Sequence, residues 1–544
     1  MTAASSQPVL RRTEWIVAIL ATVAAVWLHG FYLFHAGGLW RDELSVKSIA
    51  TLPALGQVWD ALPHDHCPIV FPLLVRIWSA AGLANTDPGL RILGLGCGLL
   101  LLAAFWFASR AIDRGLPLLS LALAGLNFTV IRYGDSIRAY GLATGLILLM
   151  MLLIWRFLEA PTWRRGLLAG LAAGLSVQTL YQSAFFLLAL CLAGAVVGLR
   201  RRQLPTALAV LSIGLPAALS LLPYIPPLHQ AQSWWVVSKT GVNFMGFLFR
   251  IAEATGTLMG VWVVLVLIAA LLGLGCAFAK TAPEETRGQR DLLLFASLAL
   301  VIGLAGFGLF VKLSGLPTQR WYYIPAMGFA MVCCDIIVPR IHQAARVGVL
   351  VIAVAVALFA FPTAQSALKL SQTNGDRVAD QVSQAARPGD VIIVHPWYYG
   401  VTFAHYYRGA VPWTTLPPLA DYRFHRYDLV KAQLQMTNVV EPVLQQVETA
   451  LRSGHGIWIV GRLHVPRPDE PPPGVLPPAP QGPEGWADRP YSDAWSARLA
   501  GFLVAHITNA VTLVDPSTNL VSPMENIPLI IAKGWRSPGQ TNAP

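Results

Sequence analysis

Charged side chains are scarce in this sequence. Only 12% of its 544 residues are Asp, Glu, Lys or Arg, whereas 55% are hydrophobic. Soluble globular domains carry about 25% charged residues, so this composition excludes an ordinary soluble enzyme, and it equally excludes a disordered chain. Apolar runs close to the length that crosses a bilayer recur along the first 362 residues. The sequence therefore predicts a polytopic α-helical membrane protein.

Cysteine is rare as well, and its positions exclude a disulfide-stabilised domain. Five of the six cysteines lie within apolar runs, Cys67 lies in a loop, and residues 363–544 contain none. We expect these five cysteines to pack between helices as small apolar side chains. The P-loop, GxGxxG, HExxH and GxSxG patterns are also missing, so no motif points to a bound nucleotide, a zinc protease or a serine hydrolase.

About eleven apolar segments are predicted to span the membrane. The first follows Arg11-Arg12, is too long for a signal-peptide core and lacks an A-x-A cleavage site, so we expect it to remain uncleaved. The candidate spans cover approximately residues 15–34, 90–109, 116–131, 139–158, 166–181, 184–199, 206–224, 257–279, 292–312, 321–338 and 346–362. Among the acids, only Glu253 is a candidate for a carboxylate near the middle of the bilayer.

The excess positive charge predicts the topology. The net charge of +11 lies entirely within residues 1–362, and residues 363–544 hold 14 basic and 14 acidic residues. Fifteen Lys and Arg residues fall in six short connections that alternate with longer connections holding ten. The positive-inside rule then predicts a cytoplasmic N-terminus, and an odd number of spans places the C-terminal region outside. No basic patch with interleaved aromatic residues occurs, so we expect no nucleic-acid partner.

Two domains are predicted: a membrane domain over 1–362, with a long first outer loop at 36–88, and an extracytoplasmic α/β domain over 363–544. An apolar stretch at 69–84 in that loop is too short for an ordinary span and indicates a helix at the membrane interface. In the C-terminal domain the periodicity predicts helices at Asp376–Arg387, Glu441–Arg452 and Ser492–Ile507 and strands at 391–394 and 457–460. A Pro-rich stretch at 466–483 indicates a linker or lid.

Paired acids follow the first span at Arg41-Asp42-Glu43. A carboxylate just outside a membrane suits general-base chemistry, because apolar surroundings raise its basicity. The alternative is structural: Asp42 caps a helix N-terminus and Glu43 interacts favourably with the helix dipole. The residues alone leave both interpretations open.

Two further segments on the predicted outer side carry arginines beside aromatic residues. One contains Arg132, Asp135, Arg138 and Tyr140, and the other reads Gln319-Arg320-Trp-Tyr322-Tyr. Outer loops disfavour arginine, so an anionic ligand such as a phosphate would explain its presence. The alternatives are an Arg138–Asp135 salt bridge and, for the tyrosines, an aromatic belt.

Histidines and aromatic residues elsewhere are weaker candidates. His64 and His66 could contact a metal, but two ligands in one tripeptide are insufficient and no further ligand is suitably spaced, so no cofactor is predicted and a divalent metal stays an open alternative. Trp397-Tyr-Tyr399 could form a sugar platform, although core packing is the commoner role.

Four elements, in order, resemble the C-type (GT-C) glycosyltransferases. They are Asp42-Glu43 with the His66-x-Pro68 element that follows it, Asp87-Pro-Gly-Leu-Arg91, Ser136-Ile-Arg138-Ala-Tyr140, and Arg320-Trp-Tyr-Tyr-Ile-Pro325. Within that superfamily the chain resembles the lipid A aminoarabinose transferases, the protein O-mannosyltransferases and the Rgt-type sugar transferases. The resemblance covers about residues 10–340.

The resemblance implies a GT-C-like bundle and a reaction at the outer face of the membrane. Such enzymes transfer a sugar, with inversion, from a polyprenyl-phosphate donor to a lipid or glycan acceptor. Asp42 matches the catalytic aspartate and Glu43 its neighbour. Arg138 and Arg320 match positions that contact the donor phosphate, and Tyr140, Tyr322, His66 and Tyr181 are expected to line the substrate site. A bacterial inner membrane suits a chain of this kind.

Other classes of function remain possible at this point. A transporter, or a flippase or polymerase of lipid-linked glycans, would be expected to carry acids in mid-span and repeated halves. No internal repeat is evident, and the acids cluster outside the spans. A membrane scaffold without catalytic activity would not require Asp42-Glu43 or Arg138.

Overall fold

The computed structural model describes residues 6–65, 67–234, 244–278, 287–314, 318–465, 476–479 and 488–537. Its contacts divide the chain into two compact units. Unit 1 comprises Met1–Phe34, Cys67–Ile225 and Thr240–Leu368, and unit 2 comprises His35–His66, Pro226–Lys239 and Lys369–Pro544. The first part of the predicted outer loop, which carries Asp42, therefore belongs to the same unit as the C-terminal region.

Unit 1 is a bundle of α-helices. Their bounds are α1 Ser6–His35, α4 Val70–Ala80, α5 Asp87–Asp113, α6 Phe128–Gly134, α7 Tyr140–Glu159, α8 Trp163–Val177, α9 Ser183–Arg200, α10 Leu204–Leu219, α12 Phe244–Thr255, α13 Met259–Phe278, α14 Arg287–Ser314, α15 Ile324–Ile341 and α16 Gln343–Leu368. The short helix α4 matches the apolar stretch predicted at 69–84.

Nine helical segments of the described chain are long and apolar enough to cross a membrane, which confirms a polytopic membrane protein. The predicted count of about eleven is not confirmed, because two of the predicted spans are too short. The helix at Trp163–Val177 has 15 residues, or about 22 Å at 1.5 Å per residue, against a hydrocarbon core of about 30 Å.

The other short segment, predicted at 116–131, is broken in the middle. A π-helix at Ser120–Gly125 comes first. The side chain of Asn127 then accepts hydrogen bonds from the backbone N–H groups of Thr129 and Val130, at 2.8 and 3.2 Å, and so starts the new helix α6. An Asn at this position caps a helix start and does not favour a continuous helix.

Asp335 is a buried carboxylate inside a span, at 3% exposure. Glu253 is therefore not the only acid within an apolar helical segment. The Asp335 oxygens accept hydrogen bonds from the backbone N–H groups of Leu119 and Ser120, at 2.8 and 2.9 Å, and from the Ser120 hydroxyl at 2.6 Å. Because these donors would otherwise be buried without partners, Asp335 has a structural role.

Unit 2 contains an α/β domain, as predicted. Its helices are α2 Arg41–Ala50, α3 Leu55–Ala61, α11 Ile225–Trp234 from Pro226 onward, α17 Gly375–Ala385, α18 Tyr399–Tyr406, α19 Tyr427–Leu434, α20 Glu441–Arg452 and α21 Arg489–His506. Its strands are β1 Val391–His395, β2 Trp413–Thr415, β3 Ile457–Gly461, β4 Asn509–Val514 and β5 Leu529–Lys533. Most of the Pro-rich stretch at 466–483 lies outside the described residues.

The five strands form one sheet in the order β2-β1-β3-β5-β4. The first three are parallel, and β5 is antiparallel to both β3 and β4. Ile392 and Val394 pack on one face with Val378 and Phe403, whereas Ile393 packs on the other face with helix α20. Because β1 is buried on both faces, its sequence is continuously apolar rather than alternating.

The stretch that joins the first span to α2 is fixed against the C-terminal region of unit 2. Gly37 has φ +69°, and a Cβ there would approach the Cβ of Ser371 to 2.8 Å, so only glycine fits. Beside it, the Gln372 backbone N–H donates to the Ala36 carbonyl at 2.8 Å. These contacts determine where α2 begins.

Candidate active site in unit 2

The candidate site lies at the carboxyl edge of the three parallel strands. Trp397-Tyr398-Tyr399 follows β1, and the segment 421–428 follows β2. Glu525 lies at the same edge, because β5 starts beside the end of β3, where Leu529 pairs with Val460. In open α/β sheets this edge is where ligands usually bind, since loops from neighbouring strands converge there.

Helix α2 brings Arg41, Asp42 and Glu43 to this edge and gives the two acids different roles. Glu43 is fully buried, and its carboxylate accepts the backbone N–H of Trp40 at 3.3 Å, which caps the helix start. The side chain of Asp42 is 18% exposed. The arrangement leaves Asp42, rather than Glu43, accessible to a substrate.

The Arg41 guanidinium is held on several sides. Its carbon lies 4.6 Å from the centre of the Tyr398 ring. One amino group donates to the Met524 carbonyl at 3.0 Å and lies 3.8 Å from a Glu525 oxygen, and the Arg41 backbone N–H donates to the other Glu525 oxygen at 3.1 Å. Arg41 therefore fixes the start of α2 against the segment that precedes β5.

Glu525 is the fully buried partner of Arg41. It accepts a hydrogen bond from the Thr402 hydroxyl at 2.7 Å. Burial raises the pKa of Glu525 from 4.5 to about 7, against the opposing effects of Arg41 and these hydrogen bonds. The carboxyl group of Glu525 consequently titrates close to neutral pH.

Asp42 lies between two nitrogen-bearing side chains. One of its oxygens is 3.7 Å from Nε of Arg41 and 3.9 Å from Nε2 of His425. The His425 ring stacks on Tyr427 with the centroids 5.7 Å apart, and its plane is nearly perpendicular to that of Trp397, whose centroid is 6.1 Å away. These rings orient the imidazole toward the carboxylate, so the position of Asp42 is set from both sides.

The segment carrying His425 is itself held by ion pairs. Arg426 makes two contacts with Asp428, at 2.9 and 2.6 Å, and a third with Asp421 at 2.6 Å. The pKa of Asp421 is lowered to about 2, because hydrogen bonds from Arg423 and Arg426 outweigh the effect of its burial. These pairs are formed at all physiological pH values.

His64 is packed among aromatic rings. Its ring stacks on Trp234 at 4.5 Å and lies 5.1 Å from Phe424. Burial lowers the pKa of His64 to about 4, so the ring is neutral at pH 7. Across the described residues no group of three His, Cys, Asp or Glu side chains could hold a metal ion. His66 lies outside the described residues.

The predicted substrate-binding residues of unit 1 fall into two groups. Tyr140 is buried, its ring lies 5.9 Å from that of Tyr322, and the Arg138 guanidinium lies 6.0 Å from the Tyr140 centroid. These contacts bring the segments that carry Arg138 and Arg320 together. Tyr181 instead packs edge-to-face on Tyr224 at 5.6 Å.

Asp135 contacts the first membrane helix. Its carboxylate lies 2.8 Å from Nδ1 of His29, and both side chains are buried. Gly98 on α5 leaves room for the Asp135 carboxylate, because a Cβ at this position would lie 1.8 Å from an Asp135 oxygen. This pair fixes the segment that leads to Arg138.

Three residues of the site in unit 2 had no sequence signal that assigned them a role: Arg41, His425 and Glu525. Arg41 precedes the acidic pair but matched no family position, and the other two lie in a region without motifs. Trp397 is 6% exposed and packs with Val430 and Leu434, which agrees with core packing, whereas Tyr398 contacts Arg41.

Replacing Glu525 with glutamine is expected to change the pH dependence of stability. The folded-state pKa of about 7 exceeds the unfolded value of 4.5, so the contribution of Glu525 to stability is fully present below pH 4.5 and is lost as the pH rises through 7. Glu525→Gln should remove this loss, whereas Glu448→Gln, at a more exposed position, should not. The measurement is the unfolding temperature in detergent at several pH values between 4.5 and 8. The same change of this temperature with pH in wild type and Glu525→Gln would contradict the prediction.

This chain is similar to several proteins of solved structure. The sequence matches no protein-family model and no curated protein sequence. ArnT from Cupriavidus metallidurans in the apo state is 14% identical with a TM-score of 0.49, over 83% of this chain and 93% of that one. The same protein bound to undecaprenyl phosphate is 12% identical with a TM-score of 0.47, over 82% and 93%.

The oligosaccharyltransferase of Archaeoglobus fulgidus, in complex with zinc and sulfate, is 12% identical with a TM-score of 0.47, over 81% of this chain and 67% of that one. These structures belong to the class of glycosyltransferases that the four sequence elements resemble. Every one of these TM-scores is below 0.5.

Proposed function

We propose that this chain is an inverting membrane glycosyltransferase that transfers a sugar from a polyprenyl-phosphate donor to an extracytoplasmic lipid or glycan acceptor. The observation that carries the proposal is the environment of Asp42. It is a partly exposed carboxylate at the carboxyl edge of a parallel sheet, oriented by Arg41 and His425. The neighbouring acid Glu43 is buried in a capping role and is not available for the same chemistry.

Asp42 acts as the general base in this proposal. It takes the proton of an acceptor hydroxyl, whose oxygen forms a bond to the anomeric carbon of the donor sugar. The bond from that carbon to the phosphate oxygen breaks on the opposite face, so the configuration inverts and polyprenyl phosphate leaves as an anion. General-base catalysis of this kind contributes about 10²- to 10⁴-fold to the rate.

Arg138 and Arg320 are proposed to stabilise the leaving phosphate. The contact between Tyr140 and Tyr322 brings their two segments together in unit 1. Fixed guanidinium groups stabilise the charge that develops on a departing phosphate, and they need no metal for this. The buried pair of Asp135 and His29 supports this arrangement by fixing the segment before Arg138.

Arg138→Ala is expected to lower kcat/KM for the donor by about ten- to a hundredfold, since one of two cations near the phosphate is lost. Arg138→Lys keeps the charge but not the planar fork of donors, so it should show a smaller loss. Arg165→Ala, in a connection on the opposite predicted side, serves as the control. Steady-state kinetics with varied donor concentration measure the effect, and an unchanged kcat/KM in Arg138→Ala would remove Arg138 from the site.

A transporter of lipid-linked glycans is the alternative class, and the buried acids do not favour it. Asp335 is engaged with backbone N–H groups, and Asp135 is paired with His29.

The proposed location is a bacterial inner membrane, with a cytoplasmic N-terminus and unit 2 on the outer side.

The test uses full-length protein in detergent, a panel of polyprenyl-phosphate sugars and membrane extract as a source of acceptors. We expect one donor to release polyprenyl phosphate in proportion to the sugar that appears on an acceptor. Movement of intact donor across a proteoliposome membrane, without cleavage of the sugar–phosphate bond, would instead establish transport and overturn the proposal.

A further inference from the structure

A polar cavity lies wholly within unit 1. Its volume is about 570 Å³. It is bounded by the start of α1, the end of α5 with the turn that follows, the end of α15 and the start of α16. Arg340 lines it at the end of the span that Arg320 begins, so about 30 Å of helix separates the cavity from Arg320. It is thus remote from the residues proposed to bind the donor.

Positive charge dominates the walls of this cavity. Five arginines line it against two acids, and both acids are already engaged. Glu14 receives two contacts from Arg346, at 2.6 and 2.5 Å, and Asp335 accepts the hydrogen bonds described above. Arg11 and Arg114 are exposed side chains, and neither forms an ion pair with an acid whose side chain the structure describes. The cavity therefore presents the guanidinium groups of Arg11 and Arg114 to a ligand.

We propose that this cavity binds the phosphate of an anionic phospholipid headgroup. Guanidinium groups are suited to phosphate because they donate several hydrogen bonds in a fixed plane. Basic pockets between membrane helices are also where anionic headgroups are held. By the positive-inside prediction, the lipid comes from the cytoplasmic leaflet.

A lipid fits better than a soluble phosphate because apolar side chains line the cavity and others are exposed on the helices that bound it. Trp15 and Val349 line it beside the arginines. The helices that carry them expose Ile16, Ile19 and Val351 at 51 to 61%. In a bilayer, side chains of this kind face acyl chains, so a headgroup in the cavity leaves its chains next to a suitable surface.

The chain offers matched control positions for a test. Arg114 and Arg202 each have φ 57° in the turn after a membrane helix, but only Arg114 lines the cavity. Arg11 and Arg12 are adjacent, and only Arg11 lines it. The double variants R11A/R114A and R12A/R202A therefore remove the same charge from the same predicted side. All four side chains are exposed, so both variants should fold.

Binding is measured by native mass spectrometry of delipidated full-length protein with phosphatidylglycerol or phosphatidylcholine. We expect wild type and R12A/R202A to retain phosphatidylglycerol preferentially and R11A/R114A to bind it about tenfold more weakly. Equal binding by both variants would overturn the proposal, as would equal retention of the two lipids by wild type. Full competition by glycerol phosphate at the lipid concentration would overturn the lipid occupant in favour of a soluble anion. None of these readouts depends on transferase activity.

Discussion

Asp42→Asn is expected to lower the rate of polyprenyl-phosphate release by about a thousandfold, because an asparagine amide cannot accept the proton of the acceptor hydroxyl. The variant should fold as the wild type does. Asparagine has nearly the same shape, and the distances from Asp42 to Arg41 and His425, at 3.7 and 3.9 Å, are longer than those of strong ion pairs. Single-turnover assays with the donor that wild type uses measure the effect on the chemical step.

The neighbouring acid provides the matched control for this experiment. Glu43→Gln keeps a side-chain oxygen that can accept the Trp40 backbone N–H, so the helix start should persist and the rate should fall by less than about tenfold. A large loss in Glu43→Gln together with full turnover in Asp42→Asn would reverse the assignment of the base. Full turnover in both would remove this acidic pair from the chemistry.

Local periodicity predicted much of the fold. The helix Glu441–Arg452 has the predicted bounds, because its apolar residues recur at helical spacing and pack against the sheet. Strands β1 and β3 were predicted because burial on both faces requires a continuously apolar sequence, and such a run is visible in the chain. Strands β2, β4 and β5 were missed: β2 has only three residues, and most of β4 is exposed, so its sequence lacks a continuous apolar run.

Only part of the candidate site was predictable, because residues that meet there are far apart in the sequence. Asp42 carried a signal because it belongs to a motif next to a membrane span. Its surroundings did not, since Arg41 and Glu525 are 484 residues apart and no local pattern relates them. The same applies to Asp335, whose backbone partners lie about 215 residues away. Hydrogen bonds of this kind depend on tertiary structure, which periodicity does not describe.

The second large effect is expected from Arg41→Met. This change removes the cation beside the fully buried Glu525. A buried carboxylate left without its partner costs about 3 kcal/mol of stability at pH 8, unless it takes up a proton. At pH 5 the cost should be smaller, because the raised pKa of Glu525 already favours the protonated form in the folded state.

Thermal unfolding in detergent at pH 5 and pH 8 measures the stability of the variant. Arg41→Met/Glu525→Gln is the control that tests the mechanism, since it removes the buried charge together with its partner. We expect this double variant to regain most of the stability lost at pH 8. Equal stability of Arg41→Met and the double variant at both pH values would contradict a role for Arg41 in compensating Glu525.

Arg41 also bears on catalysis, because its Nε lies 3.7 Å from an oxygen of Asp42. Removing this neighbour in Arg41→Met/Glu525→Gln should lower the single-turnover rate of the folded enzyme, because Asp42 then lacks one of the groups that orient it. Destabilisation alone would lower the amount of active enzyme without changing the single-turnover rate of the folded fraction. A lower rate at full stability therefore assigns to Arg41 a positioning role toward the base, and an unchanged rate at full stability restricts Arg41 to holding α2 against the segment before β5.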